Sequence, residues 1–119
     1  MKKLWNGYLG FLCLGLILLF AGCNFMLDGS HYITTPQDRQ EVAGIQTIVV
    51  SPPDSFNVDY IEFSIDGYYV YHDNTTPYSY EWNTRSGQYT NGPHNIMVEM
   101  YSIEGTYETD AITVFVNNQ

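Results

Sequence analysis

Basic residues are scarce in this chain. Four Lys and Arg stand against 13 Asp and Glu, a formal charge of −9 over 119 residues. That excludes a nucleic-acid partner, because phosphate binding needs a basic face. It also excludes electrostatic docking on anionic lipid. Cysteine is scarce too, with only Cys13 and Cys23. Cys13 lies within an apolar run and reads as a small apolar residue. A secreted domain built from this chain would have no disulfide framework and would rely on its core. Long apolar runs are missing. The stretch from Phe11 to Phe20 is broken by Gly15 and falls short of the roughly 20 residues that span a bilayer. After residue 30 no Ala-, Glu- or Lys-rich stretch of helical length occurs. Nothing is repeated or of low complexity.

The N-terminus carries a different signal. Lys2 and Lys3 precede the short apolar run, and the small residues Ala21 and Gly22 lead directly to Cys23. A charged start, a short apolar core and small residues before a junction describe a secretory signal peptide. Leu19-Phe20-Ala21-Gly22-Cys23 resembles the lipobox of bacterial lipoproteins, with Phe20 standing where leucine is usual. The resemblance implies a signal peptide over 1–22, cleavage before Cys23, lipid on Cys23 and a tether over 23–30. Cleavage removes Lys2 and Lys3, taking −9 to −11 and leaving Arg39 and Arg85 as the cations. The competing readings are an uncleaved signal anchor, or a free thiol at Cys23. Asn24 is not the aspartate that retains some lipoproteins in an inner membrane, so an outer membrane or cell surface is the expected location.

Residues 31–119 alternate between apolar and polar side chains. "HYITTP" forms a first strand, ended by Pro36, and "QDRQEVAG" is a polar stretch turning at Gly44. "IQTIVVS" puts Ile48 and Val50 on one face before Pro52 and Pro53 end it. "VDYIEFSI" sets Ile61, Phe63 and Ile65 against Tyr60, Glu62 and Ser64. Asp66-Gly67 is a strong hairpin signal before "YYVYH". "YSYEW" aligns Tyr78, Tyr80 and Trp82, while "HNIMVEMYS" aligns Ile96, Val98 and Met100. "YETDAITVFV" aligns Ile112, Val114 and Val116. About seven short antiparallel strands, with a turn every 8 to 12 residues or so, predict an all-β immunoglobulin-like sandwich.

Specific residues carry a family resemblance. Phe63, Asp66, Gly67, Asp73, Pro77, Tyr78, Trp82, Thr84, Asn91, Gly92 and His94 match the pattern of the bacterial Ig-like domain. "ITTPQDRQEVAG" resembles the opening of that family. The likeness spans residues 33 to 117. That module recurs in secreted glycoside hydrolases, adhesins and cell-surface proteins, so the resemblance implies a fold more than a function. Two positions depart from the pattern: Ser102 and Thr106, around Gly105, stand where Asp and Asn are usual.

Catalytic signals are absent. The chain has no GxSxG, P-loop, dinucleotide fingerprint or HExxH. His31, His72 and His94 have no zinc-binding spacing. His72-Asp73-Asn74 lacks the regular spacing of a calcium loop. Glu62, Glu81 and Glu99 fall on solvent-side strand positions, and Asp66 and Asp73 fall in turns, which accounts for them without acid–base work. No catalytic residue, metal or cofactor is expected.

Aromatic residues on the outward side remain. Tyr60, Tyr101 and Phe115 point out, and strict alternation makes at least one of Tyr68, Tyr69 and Tyr71 do so. Tyr60, Tyr69, Tyr101 and Phe115 are the candidate binding residues, for a protein or a polysaccharide. The plain alternative is that tyrosine suits a half-exposed strand. The expected function is a lipid-anchored, non-catalytic recognition or adhesion module. The competing one is a structural subunit or spacer of an envelope complex.

Overall fold

The computed structural model describes residues 31–119. The signal segment 1–22, Cys23 and the tether 23–30 lie outside the described residues.

The described residues form eight strands and no helix. They are β1 (Ile33–Thr35), β2 (Glu41–Val42), β3 (Ile45–Val50) and β4 (Val58–Ile65), then β5 (Tyr68–Asp73), β6 (Tyr78–Asn83), β7 (Gly92–Ser102) and β8 (Tyr107–Val116). Two sheets result, one ordered β1-β3-β6 and the other β2-β8-β7-β4-β5. This is an immunoglobulin-like β-sandwich.

Alternation produces the core. The expected inward residues Ile48, Val50, Ile61, Phe63, Ile65, Trp82, Ile96, Val98, Met100, Ile112, Val114 and Val116 are all buried. Tyr78 and Tyr80, on the Trp82 face, pack partly buried against them. A pleated strand sends successive side chains to opposite faces, so period-two apolar spacing fills the space between two sheets.

Three local departures have physical causes. "QDRQEVAG" contains a strand: Glu41–Val42 pairs with Phe115–Val116, and this pair is parallel where antiparallel pairing was expected. Two residues carry no detectable alternation, so only the approach of β8 creates this strand. Asp73 is the buried last residue of β5 instead of an open turn residue. Its Oδ1 accepts the Thr75 N–H at 3.1 Å and its Oδ2 the Ser79 N–H at 3.0 Å, which directs the chain from one sheet into the other. Strict alternation also fails within β5. Ser64 pairs with Tyr69 and Phe63 with Tyr71, so Val70 is an extra, bulged residue. The bulge places Tyr69 with His72 on the outward face, and Tyr68 with Tyr71 on the inward side.

Candidate functional site

The outward face of the five-stranded sheet carries a row of aromatic rings. Tyr60 on β4 stacks on His72 of β5 at 4.6 Å between centroids and on Tyr101 of β7 at 4.7 Å. Tyr101 stacks in turn on Tyr107 of β8 at 5.7 Å. Strand register produces this: Tyr60 pairs with Tyr101, and Tyr101 with Tyr107. Neighbouring strands lie about 4.8 Å apart, close to the spacing at which rings stack. The two inner rings are half-buried, whereas Tyr107 is 61 % exposed.

Carboxylates flank the row. Glu62 and Glu99 are direct cross-strand partners on the same face. Two like charges so placed repel, a local cost that a nearby cation would relieve. His72 Nδ1 lies 3.7 Å from Glu62 Oε2, and the Tyr101 hydroxyl donates to Glu99 Oε1 at 3.1 Å. Desolvation, the hydrogen bond to Glu99 and the charges of Glu99 and Glu62 push the Tyr101 phenol above its ordinary value. The phenol therefore keeps its proton and acts as a donor.

The structure gathers only part of the expected set. Tyr60 and Tyr101 meet. Tyr69 is 60 % exposed and lies on the same face, but opposite Ser64, two residues along β4 from Glu62. Phe115, 41 % exposed, sits at the other end of β8 beside Glu41. Eight residues separate it from Tyr107, about 26 Å of strand, so Phe115 does not belong to the row. His72 and Tyr107 complete the row instead. Neither stands out in the sequence, because ring stacking across strands depends on register.

Most of the remaining motif residues build one end of the sandwich. Asp66 and Gly67 take φ values of 53° and 85°, the left-handed pair of a tight hairpin turn. Asp66 Oδ2 lies 2.6 Å from His94 Nδ1, and Asp66 Oδ1 accepts the Asn95 N–H at 2.9 Å. The other His94 nitrogen, Nε2, lies 2.6 Å from the Thr90 carbonyl. Trp82, Tyr89 and His94 meet edge to face at 5.3 to 5.9 Å. Asn91 exchanges two hydrogen bonds with the backbone of Asn118, at 2.8 and 3.0 Å. The Asn118 amide donates to the Thr84 carbonyl and hydroxyl, and its oxygen accepts the Gly44 N–H at 2.9 Å. Gly92, with φ 123°, opens β7 between Asn91 and His94. Pro77 leads into β6, where Tyr78, paired with Val50, packs on the core. At the opposite hairpin the departing pair closes its own turn. The Ser102 and Thr106 hydroxyls lie 2.7 Å apart, and Thr106 N–H donates to Ser102 Oγ at 3.0 Å. These motif residues therefore hold turns and chain ends. Among the described residues no group of three or more His, Cys, Asp or Glu is arranged to hold a metal.

The architecture is that of the Ig-like and fibronectin III-like β-sandwiches, a class of module that is typically non-catalytic. The family model of the bacterial Ig domain matches residues 30–98, and the chain belongs to that family. The fold is similar to the fibronectin(III)-like modules of CbhA from Clostridium thermocellum. That likeness has a TM-score of 0.57 and 22 % identity, covering 75 % of this chain and 98 % of that one. It is also similar to part of the endo-β-1,4-mannanase from Thermotoga petrophila. There the TM-score is 0.57 and identity 16 %, over 71 % of this chain and 19 % of that one. No curated protein matches the sequence.

Proposed function

We propose that this chain is a lipid-anchored envelope protein whose Ig-like domain is a non-catalytic recognition module. Lipid on Cys23 would hold it at a membrane surface, with the outer membrane or cell exterior favoured. The row His72–Tyr60–Tyr101–Tyr107 is its contact surface, and this row is the single observation that carries the reading. Ordered aromatic side chains contribute large contact area at low entropic cost and anchor many interfaces. The geometry favours a protein over a polysaccharide. Sugar stacking needs an open ring face, but both faces of Tyr60 and of Tyr101 are turned toward neighbouring rings. Edges and hydroxyls remain for a partner, with Glu62 and Glu99 beside them.

The test is cross-linking capture from intact native cells with a tagged full-length chain. Two controls are needed, Cys23→Ala and Tyr60→Ala/Tyr101→Ala. A specific protein captured by the parent and lost in the double tyrosine variant supports the reading. A captured glycan would move the partner class to polysaccharide. Envelope neighbours captured equally by parent and double variant would make the chain a structural subunit. Cys23→Ala should release the protein from the membrane fraction, and its retention there would refute the anchor.

A further inference from the structure

The two sheets of the sandwich end in four edge strands, and three of them are blunted. β1 and β2 are three and two residues long. β6 follows Pro77 and carries Glu81. The fourth, β5, is different. It is six residues of "YYVYHD", with no Pro, no Lys and no acidic residue before the buried Asp73. It is hydrogen-bonded on one side only, to β4, so its other edge presents unpaired N–H and C=O groups. The side chains along it are open: Tyr68 is 78 % exposed, Tyr69 60 % and Tyr71 42 %. Natural proteins guard such an edge with charge, proline, short length or a bulge, and of these β5 carries only the bulge at Val70.

A cleft of about 470 Å³ lies beside the start of this edge, lined by Asp66, Tyr68, Val70, Gln88 and Tyr89 among others. An added strand would direct alternate side chains to opposite faces. One set would enter this cleft. The other would lie beside Tyr69 and His72 on the outward face, where the repelling Glu62–Glu99 pair lies behind His72. An added strand would sit about 4.8 Å beyond β5, within reach of Glu62 for a long cationic side chain folded back over His72. Exposed tyrosine faces also attract cations. Arg39 and Arg85 are the only Lys or Arg from residue 31 onward, and neither belongs to β4, β5 or β7. A second copy of so acidic a chain is a poor match for the edge. A basic segment is a good one.

We infer that the open edge of β5 is a strand-addition site, and that its occupant is an extended, Arg- or Lys-bearing segment of a partner protein. Backbone pairing would supply affinity, while the cleft and the acidic face would select the side chains. This surface adjoins the tyrosine row and shares His72 with it, but the backbone edge of β5 takes no part in the ring stacking, and the inference stands without the row's being a contact surface.

The test uses the purified full-length chain in detergent and fluorescently labelled, end-capped peptides of alternating Arg and Val. Three comparisons decide it: an N-methylated version, a version with Glu for Arg, and the Tyr69→Lys protein, which adds the missing guard at an exposed position. Anisotropy should show binding of the Arg peptide. Affinity should fall about tenfold or more with N-methylation, with Glu, and with Tyr69→Lys. Amide exchange of residues 68–72 should slow only with the unmethylated Arg peptide. Undiminished binding of the N-methylated peptide would mean charge attraction without strand addition, and would overturn the inference. So would undiminished binding of the Glu peptide, no binding of any peptide, or a chain dimer dissolved by Tyr69→Lys. The Tyr60→Ala/Tyr101→Ala protein keeps the β5 backbone edge and should still bind the Arg peptide at least about tenfold more tightly than its N-methylated version. The edge and the row can therefore fail independently.

Discussion

His94 Nδ1 lies 2.6 Å from the Asp66 carboxylate, and on the other side of the ring Nε2 lies 2.6 Å from the Thr90 carbonyl. Both neighbours are acceptors, so the protonated ring, with both nitrogens donating, is the form that satisfies them. The contact joins the tip of the β4–β5 hairpin to the start of β7. It holds together residues 28 apart in sequence.

Stability should therefore depend on pH through His94. Burial disfavours the charged ring. The hydrogen bonds to Asp66 and Thr90, with the Asp66 charge, outweigh it and raise the pKa above the ordinary 6.5. A raised folded-state pKa gives stability that is complete below the unfolded value and is lost as pH rises through the folded value. The melting temperature followed by circular dichroism should fall above about pH 6.5. Asp66→Asn should melt lower at acid pH and lose much of this slope. Identical pH profiles for the two proteins would show that the pair contributes nothing.

Asn118 should matter more than its place beyond the last strand suggests. Its side chain is bonded to Gly44 and Thr84, and its backbone to Asn91. Asn118→Ala leaves the Gly44 N–H without this partner, and the expected loss is about 1–3 kcal/mol in urea unfolding. An unchanged midpoint would mean that water replaces the amide at no cost.

Gly67 tests backbone conformation with little steric interference. Its φ is +85°, and a Cβ added there meets nothing within 4 Å. Gly67→Ala should cost about 1–2 kcal/mol through the left-handed backbone alone. A cost near zero would show that the turn relaxes to another type.

The stacked pair in the row should be energetically coupled. A double-mutant cycle on Tyr60→Ala and Tyr101→Ala should give a coupling of about 1 kcal/mol in unfolding experiments. Additive losses would mean that the rings are neighbours by register only. That outcome would weaken the case for an ordered ridge.

Much of the fold was legible in the sequence. Ile61, Phe63 and Ile65 sit inside because period-two spacing and the pleat agree, and Asp66-Gly67 turns because both residues tolerate positive φ. Such features are local. The aromatic row was only half legible. Tyr60 and Tyr101 were visible as outward residues, but their stacking with His72 and Tyr107 follows from which residues stand opposite one another across four strands. Phe115 has the same outward pattern and lies far along β8, because alternation specifies a face and never a distance.

By itself, then, the sequence determined the class of fold, the buried face of each long strand, the position of the tight turns and the shortage of cations. These depend on side-chain period and composition. Only the tertiary structure decided the parallel β2–β8 pair, the bulge at Val70, the burial of Asp73 and the fastening of Asn118 to Gly44 and Thr84. Each depends on which distant segment comes alongside. A one-residue register shift reverses every side chain on a strand, so no local pattern could have settled them.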